Sequence, residues 1–246
     1  MYYFASDIHL GAGDERERRT TEARFIAWLD RAAADAEAIF LLGDLFDFWF
    51  EYRQVIPKGC VRALGKLAEL SDRGIRIVFF TGNHDMWVGD YLSRECGAEL
   101  HTAPETVTLA GKRLFLAHGD NMNIHRQPLL RLMNAVFRSR TLRWLFSWLV
   151  HPDIGVRFGR WWSGKSRKSH GKSPLDVSFT EPLRDYARAY AARNPEVDYF
   201  LFGHMHVACD RLQERPRILH LGSWERQPTY AVLDDRGDLK LKTFTL

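Results

Sequence analysis

Seven side chains able to hold a metal ion are scattered through this 246-residue chain, each just past a short apolar run. "FASDIH" offers Asp7 and His9, "FLLGDLFD" offers Asp44, and "VFFTGNHD" offers Asn83. "LFLAHGD" offers His118, and "YFLFGHMH" offers His204 and His206. Taken alone, Asp7 and His9 leave two readings open. Residues two apart in extended backbone point the same way, so the pair converges on a cation or forms an ordinary carboxylate–imidazole hydrogen bond. The whole set narrows the chemistry. Two carboxylates, one carboxamide and four imidazoles, with no thiolate, suit Mn, Fe or Zn. Seven donors are too many for one four-coordinate ion. They suit two ions about 3.5–4 Å apart that share a carboxylate, an arrangement used to hydrolyse phosphate esters.

Such donors need a rigid frame that gathers strand ends at one edge. The runs "YYFAS", "AIFLLG", "IRIVFFTG", "KRLFLAHG", "DYFLFG", "RILHLGS", "TYAVLD" and "LKLKTFTL" have strand length. "TTEARFIAWLDRAAADA" and "KGCVRALGKLAELSDRG" carry apolar residues at helical spacing, the second ending on Gly74 as a helix C-cap. Continuous apolar strands alternating with helices predict an α/β fold with a mixed sheet, or two sheets packed together. The turn "DDRGD" predicts an antiparallel closing portion.

A basic stretch interrupts this pattern. Between Asn121 and Leu175 stand eleven Lys/Arg and one acid, Asp153, so the stretch is +10 where the chain is +4, leaving −6 for the rest. "PLLRLMNAVFRSRTLRWLFSWLV" reads as helical and apolar nearly all round, and "GRWWSGKSRKSHGKSP" as a loop or frayed helix. Residues 122–175 are expected to form a helical cap inserted in a single domain spanning 1–246. Leucines, tryptophans and phenylalanines there exceed what one helix stripe needs, and two helices could clasp acyl chains between them. Interspersed arginines suit phosphates or an anionic membrane surface.

Composition excludes other classes. Three cysteines (Cys60, Cys96, Cys209) with no CxxC argue against a structural zinc site and for a reducing compartment. The N-terminus lacks a basic segment followed by an apolar stretch, and no run of 18 apolar residues occurs. A cytoplasmic location is expected. Nucleic-acid grooves usually space aromatics among basic residues for stacking, and the contiguous leucine-rich run here fits lipid better.

The five blocks D-x-H, G-D-x-x-D, G-N-H-D, H-G-D and G-H-x-H, in order from Asp7 to His206, resemble the calcineurin-like metallophosphoesterases. The resemblance implies a four-layer α/β/β/α sandwich around a dinuclear centre. It implies that Asp7, His9, Asp44 and His206 hold one metal and that Asp44, Asn83, His118 and His204 hold the other, with Asp44 bridging. It further implies that His84 faces the substrate, stabilising phosphoryl oxygens or protonating the leaving group, and that Asp85 orients it. Asp47 is left as either a core-facing acid or one that backs a ligand.

Chain length, "GDLFDFW" and the basic, aromatic insert also resemble the UDP-2,3-diacylglucosamine hydrolases of lipid A synthesis, which split a pyrophosphate to give UMP and a diacylated glucosamine 1-phosphate. That likeness implies two divalent ions, with manganese expected, and a position peripheral to the cytoplasmic face of the inner membrane. It implies substrate contacts at Asn83, His84, Arg126, Arg160, Ser163, Lys165 and His204. Two residues depart from it: His84 stands where well-known members carry arginine, and Arg126 where they carry an acid. The alternative is a metal-dependent phosphodiesterase or phosphatase acting on nucleotides or nucleic acid.

Overall fold

The computed structural model describes residues 1–122, 132, 135–170, 177–212, 215–225 and 227–245. In chain order the first half gives β1 (Tyr2–Ala5), α1 (Glu15–Ala32), β2 (Ala38–Leu42), α2 (Val61–Asp72), β3 (Arg76–Phe80), α3 (Tyr91–Cys96), β4 (Glu99–His101), β5 (Glu105–Leu109) and β6 (Lys112–Ala117). The second gives α4 (Arg140–Leu149), α5 (Pro152–His170), α6 (Glu181–Ala191), β7 (Tyr199–Phe202), β8 (Ala208–Asp210), β9 (Arg217–Leu221), β10 (Thr229–Leu233) and β11 (Leu239–Thr243).

The strands form two sheets. The first has the order β11-β10-β1-β2-β3-β4, with β1 to β4 parallel and β10 and β11 added antiparallel. The second has the order β5-β6-β7-β9-β8, with β6, β7 and β9 parallel and the edges antiparallel. Phe4, Phe40, Leu42 and Phe80 meet Leu114, Leu116, Leu201 and Leu219 between the sheets. Beyond the first sheet, Phe25, Trp28, Leu67 and Leu92 of α1–α3 cover Ile39, Leu41 and Phe79. Beyond the second, Leu183 and Ala187 of α6 cover Phe115, Phe200 and Phe202. Each such buried leucine, isoleucine or phenylalanine contributes roughly 1.5–3 kcal/mol of apolar burial. Of the two arrangements left open by the strand pattern, the protein adopts two packed sheets, giving the layers α/β/β/α.

Local chemistry sets the helix ends. α1 starts earlier than its threonines suggest, because Asp14 and Glu17 form a reciprocal capping box, each accepting the other's backbone N–H at 2.8 Å. Ser139 accepts from the Leu142 N–H and starts α4 there, within the long apolar run. Of the two readings for "GRWWSGKSRKSHGKSP", loop or frayed helix, the helical one holds for residues 159–170, which form the C-terminal part of α5; residues 171–174 lie outside the described residues. Two glycines of this helix face close neighbours: a Cβ at Gly155 would meet the Tyr52 hydroxyl and one at Gly159 would strike the Phe48 ring. They serve close approach of a helix rather than chain freedom.

Both helices pack on the loops that follow β2 and β3. Phe146 of α4 lies 5.1 Å from Phe50 and 5.5 Å from Trp87 by ring centres. Among the described residues no helix is long and apolar enough to cross a membrane.

Candidate metal centre

Every candidate donor follows the C-terminal end of a parallel strand: β1, β2 and β3 in the first sheet, β6 and β7 in the second. The β1–β2 pairing continues into the loops, with Asp7 N–H donating to Gly43 at 3.1 Å and His9 N–H to Asp44 at 3.0 Å. This carries the two loops along together.

Convergence of Asp7 and His9 does not come from extended backbone, as the two-residue spacing suggests. Both are left-handed, at φ 53° and 51°, and so are Asp44 at 52°, His204 at 66° and His206 at 55°. Such conformations cost about 1–3 kcal/mol each outside glycine and persist where surrounding structure over-determines them. Glycines beside the donors give the room. A Cβ on Gly82 would fall on the Asp44 carboxylate, and one on Gly203 on Ser6 Oγ.

The donors gather in two adjoining groups. Ligand atoms of Asp7, His9, Asp44 and His206 lie within 4.8 Å of one another. His206 Nε2 is 3.1 Å from His9 Nε2 and 3.2 Å from Asp7 Oδ1. In the second group His118 Nε2 stands 3.1 Å from Asn83 Oδ1 and 3.3 Å from Asp44 Oδ2. The His204 ring is centred 5.2 Å from that of His118, and the His204 backbone N–H donates to the Asp7 carboxylate. Asp44 touches both groups, as a bridging residue must.

Electrostatics express the same crowding. Burial alone would raise Asp7 and Asp44, yet His206 brings Asp7 down to about 2, and His118 and His84 hold Asp44 well below the carboxylate range. Burial lowers His9 to about 3 and His204 to about 4. It opposes charge on His118 and His206 too, but Asp44 and Asp7 outweigh it and raise both. Carboxylates kept ionised beside imidazoles that keep free lone pairs suit a cation. The donor set therefore fits divalent metal ions: nitrogen and oxygen atoms, buried, converging and rigidly backed.

His84 and Asp85 divide their work differently from the expectation. Asp85 accepts from the backbone N–H groups of Gly82 (2.7 Å), Leu45 (2.8 Å), Asp44 (3.3 Å) and Phe46 (3.4 Å). It ties the Asp44 loop to the Asn83 loop and does not touch the His84 ring. Burial, then the nearby Asp44 charge, pushes it up to about 7. The His84 ring meets Asp47 and Ser163 instead: Nδ1 is 2.8 Å from the Asp47 carbonyl and 2.9 Å from Ser163 Oγ. Its Nε2 faces Asp44 at 3.9 Å.

Asp47 thus meets the His84 ring through its backbone carbonyl and Ser163 through its carboxylate, and its place in G-D-x-x-D was the sequence signal for it. Ser6 was missed; its hydroxyl bonds both the Asp7 carboxylate and the Leu42 carbonyl, and only its position before Asp7 hinted at it. Arg160 turns to the Lys58 carbonyl at 3.3 Å, in a polar pocket with Arg18, Arg19 and Asp47. Arg126 and the side chain of Lys165 lie outside the described residues.

Comparison with known proteins agrees with this geometry. The family model for calcineurin-like phosphoesterases matches residues 2–208. UDP-2,3-diacylglucosamine hydrolase of Porphyromonas gingivalis is 42% identical over 252 residues, covering 94% of this chain and 93% of that protein. The proteins of the same name from Haemophilus influenzae (strain Rd) and Pseudomonas paraeruginosa are each 29% identical, covering 96% and 95% of both chains respectively. With the five motif blocks assembled around one cluster of donors, the chain belongs to the calcineurin-like phosphoesterase family and is a metal-dependent hydrolase.

Proposed function

We propose that this chain hydrolyses the pyrophosphate of UDP-2,3-diacylglucosamine, releasing UMP and 2,3-diacylglucosamine 1-phosphate. One observation carries the reading: the donor cluster opens beside an apolar chamber in which Asn83 and His84 share walls with Trp87, Phe137, Phe146 and Trp162. A phosphate ester attached to a lipid needs that juxtaposition. The relatives named for this activity, matched nearly end to end, support it.

Asp7, His9, Asp44 and His206 would hold one ion, and Asp44, Asn83, His118 and His204 the other, manganese being the ion proposed. When bound, the pair supplies Lewis-acid activation of water and of the phosphoryl oxygens. The protein does the rest. Asp85 fixes the loops that carry Asp44 and Asn83. His84 presents Nε2 toward the reacting phosphate; with one proton held at Nδ1 and a second carried at Nε2, it stabilises oxygen charge or delivers that second proton to the departing phosphate.

Within residues 122–175, the described helices α4 and α5 act as a cap. The chamber adjoins a groove of about 800 Å³ that shares Met86, Trp87 and Phe137 and adds Trp144, Arg53, Arg138 and Arg143. Acyl chains run along its rings while the arginines meet anionic groups. Outward, Trp148, Leu149 and Ile154 are 60%, 74% and 64% exposed, a surface suited to rest on the cytoplasmic face of the membrane. Arg160 contacts the substrate from the polar pocket.

The second reading, a nucleotide phosphodiesterase, is favoured by His84 in place of arginine, since a histidine can protonate poorer leaving groups. Mass spectrometry of products after incubation with UDP-2,3-diacylglucosamine and manganese decides. UMP and the lipid 1-phosphate are expected; an untouched lipid beside rapidly cleaved cyclic nucleotides would select the second reading.

A further inference from the structure

We infer that Ser163, carried on α5, is a positioning residue that sets the ring of His84, so that seating this helix on the body completes the histidine's geometry. Ser163 is 2% exposed and its hydroxyl is engaged inside the protein. The Ser163 Oγ–H donates to Asp47 Oδ1, and the same oxygen stands 2.9 Å from His84 Nδ1. The Asp47 carbonyl stands 2.8 Å from that nitrogen. Two acceptors at Nδ1 keep the proton there, and the opposite nitrogen is left facing Asp44. The hydroxyl satisfies both neighbours at once: its proton goes to the carboxylate and its lone pair to the imidazole.

A second observation shows how the hydroxyl gets there. Gly155, Gly159 and Ser163 recur every four residues and share one face of α5. The first two abut the Tyr52 hydroxyl and the Phe48 ring so closely that neither site has room for a Cβ. Small residues let the helix backbone settle on the Asp47–Tyr52 loop, and Ser163 arrives at Asp47 only at that depth. Phe158 and Trp162 of the same helix line the apolar chamber, so one rigid element touches both the lipid space and the histidine. This differs from the expected substrate contact for Ser163, whose hydroxyl is turned inward to protein groups.

The kinetic test rests on the hydrolase reading, and a spectroscopic arm does not. Ser163→Ala and Gly159→Ala are made in the full chain, alone and together with His84→Ala, and assayed with manganese on UDP-2,3-diacylglucosamine. Ser163→Ala is expected to lower kcat roughly 10–100-fold with little change in KM, the usual penalty for losing a group that orients a functional side chain. Gly159→Ala, which lifts the helix without touching the hydroxyl, should lower kcat in the same way. Neither should cost more once His84 is alanine, because they act through it. Equal losses with and without His84 would overturn the inference. If the lipid is not turned over at all, the substrate reading fails and the same cycle is run on a cyclic nucleotide. Independently of turnover, ¹⁵N spectra of imidazoles in metal-free protein should show His84 protonated at Nδ1, and Ser163→Ala should move that Nδ1 resonance, since one of its two acceptors is lost while the Asp47 carbonyl stays. A spectrum unmoved by Ser163→Ala would refute the assignment.

Discussion

His118 donates its Nδ1–H to the Leu42 carbonyl, 2.9 Å away, and so turns its Nε2 lone pair on Asn83 and Asp44. A backbone carbonyl thereby fixes the tautomer that a metal needs. The carbonyl belongs to β2 and the histidine follows β6, so the bond also crosses from one sheet to the other.

Removing either partner in the second group should empty it. Asp44→Ala and His118→Ala are each expected to lower turnover by more than about 100-fold and to reduce bound metal. Steady-state rates with elemental analysis of dialysed protein check this. Near-normal rates with full metal content would contradict the site.

Metal affinity should fall as the solution is acidified. His118 and His206 are raised by Asp44 and Asp7, against burial, so protons compete for their lone pairs well up the pH scale. Binding must displace those protons. Titration calorimetry in buffers of different ionisation heat should show proton release, with affinity rising from acid toward neutral pH. A pH-independent constant would be inconsistent with histidine ligation.

Gly82→Ala should do as much harm as losing a ligand. The added Cβ falls on the Asp44 carboxylate and within 2.6 Å of its backbone nitrogen. Backbone on one side and a ligand on the other leave nowhere to yield, at a cost of about 1–3 kcal/mol. Thermal unfolding and metal content should both drop; a variant with unaltered metal binding would show that the loop has slack.

Much of this was legible in the sequence because the donors sit next to strong strand signals. "AIFLLGD" and "YFLFGHMH" each announce a buried strand and then its cargo. Distances along the chain said nothing of how Asp7 and His9 converge, since left-handed backbone is set by the loops around it and not by spacing. Short edge strands such as β4 and β8 also went unread, because three residues carry too little pattern. The part of α5 that left loop and frayed helix both open shows glycine serving opposite ends: without the Phe48 ring in view, a packing glycine and a flexible one look alike. The resemblance implied that Asp85 orients the neighbouring histidine, whereas its four backbone partners lie on its own turn at Gly82 and across on the loop after β2 at Asp44, Leu45 and Phe46.

Acid should also weaken the fold through a residue remote from the donors. His220 is 1% exposed, neither ring nitrogen has a hydrogen-bond partner among the described residues, and burial lowers it to about 4. The unfolded chain takes up this proton near 6.5 and the native chain only near 4. Stability is therefore complete above about 6.5 and declines as pH falls toward 4, by up to about 3 kcal/mol. His220→Phe, which keeps a ring beside Phe202, should flatten that slope in denaturant titrations across pH. An unchanged slope would place the proton uptake elsewhere.

The exposed end of α4 should govern attachment to lipid. Trp148→Ser with Leu149→Ser is expected to reduce co-sedimentation with anionic phospholipid vesicles several-fold while leaving hydrolysis of a detergent-dispersed substrate intact, since their side chains face outward. Full vesicle binding by the double variant would move the attachment surface elsewhere.

Four of the seven donors hang from the first sheet and three from the second, while a mostly leucine and phenylalanine cluster packs the sheets face to face between them. Greasy contacts resist separation but tolerate sliding. An ion held by donors from both sheets would act as a rivet between two plates, so the distance between reacting groups would be set by how the plates are stacked. Any change that shears them, however far from the chemistry, would be felt there first.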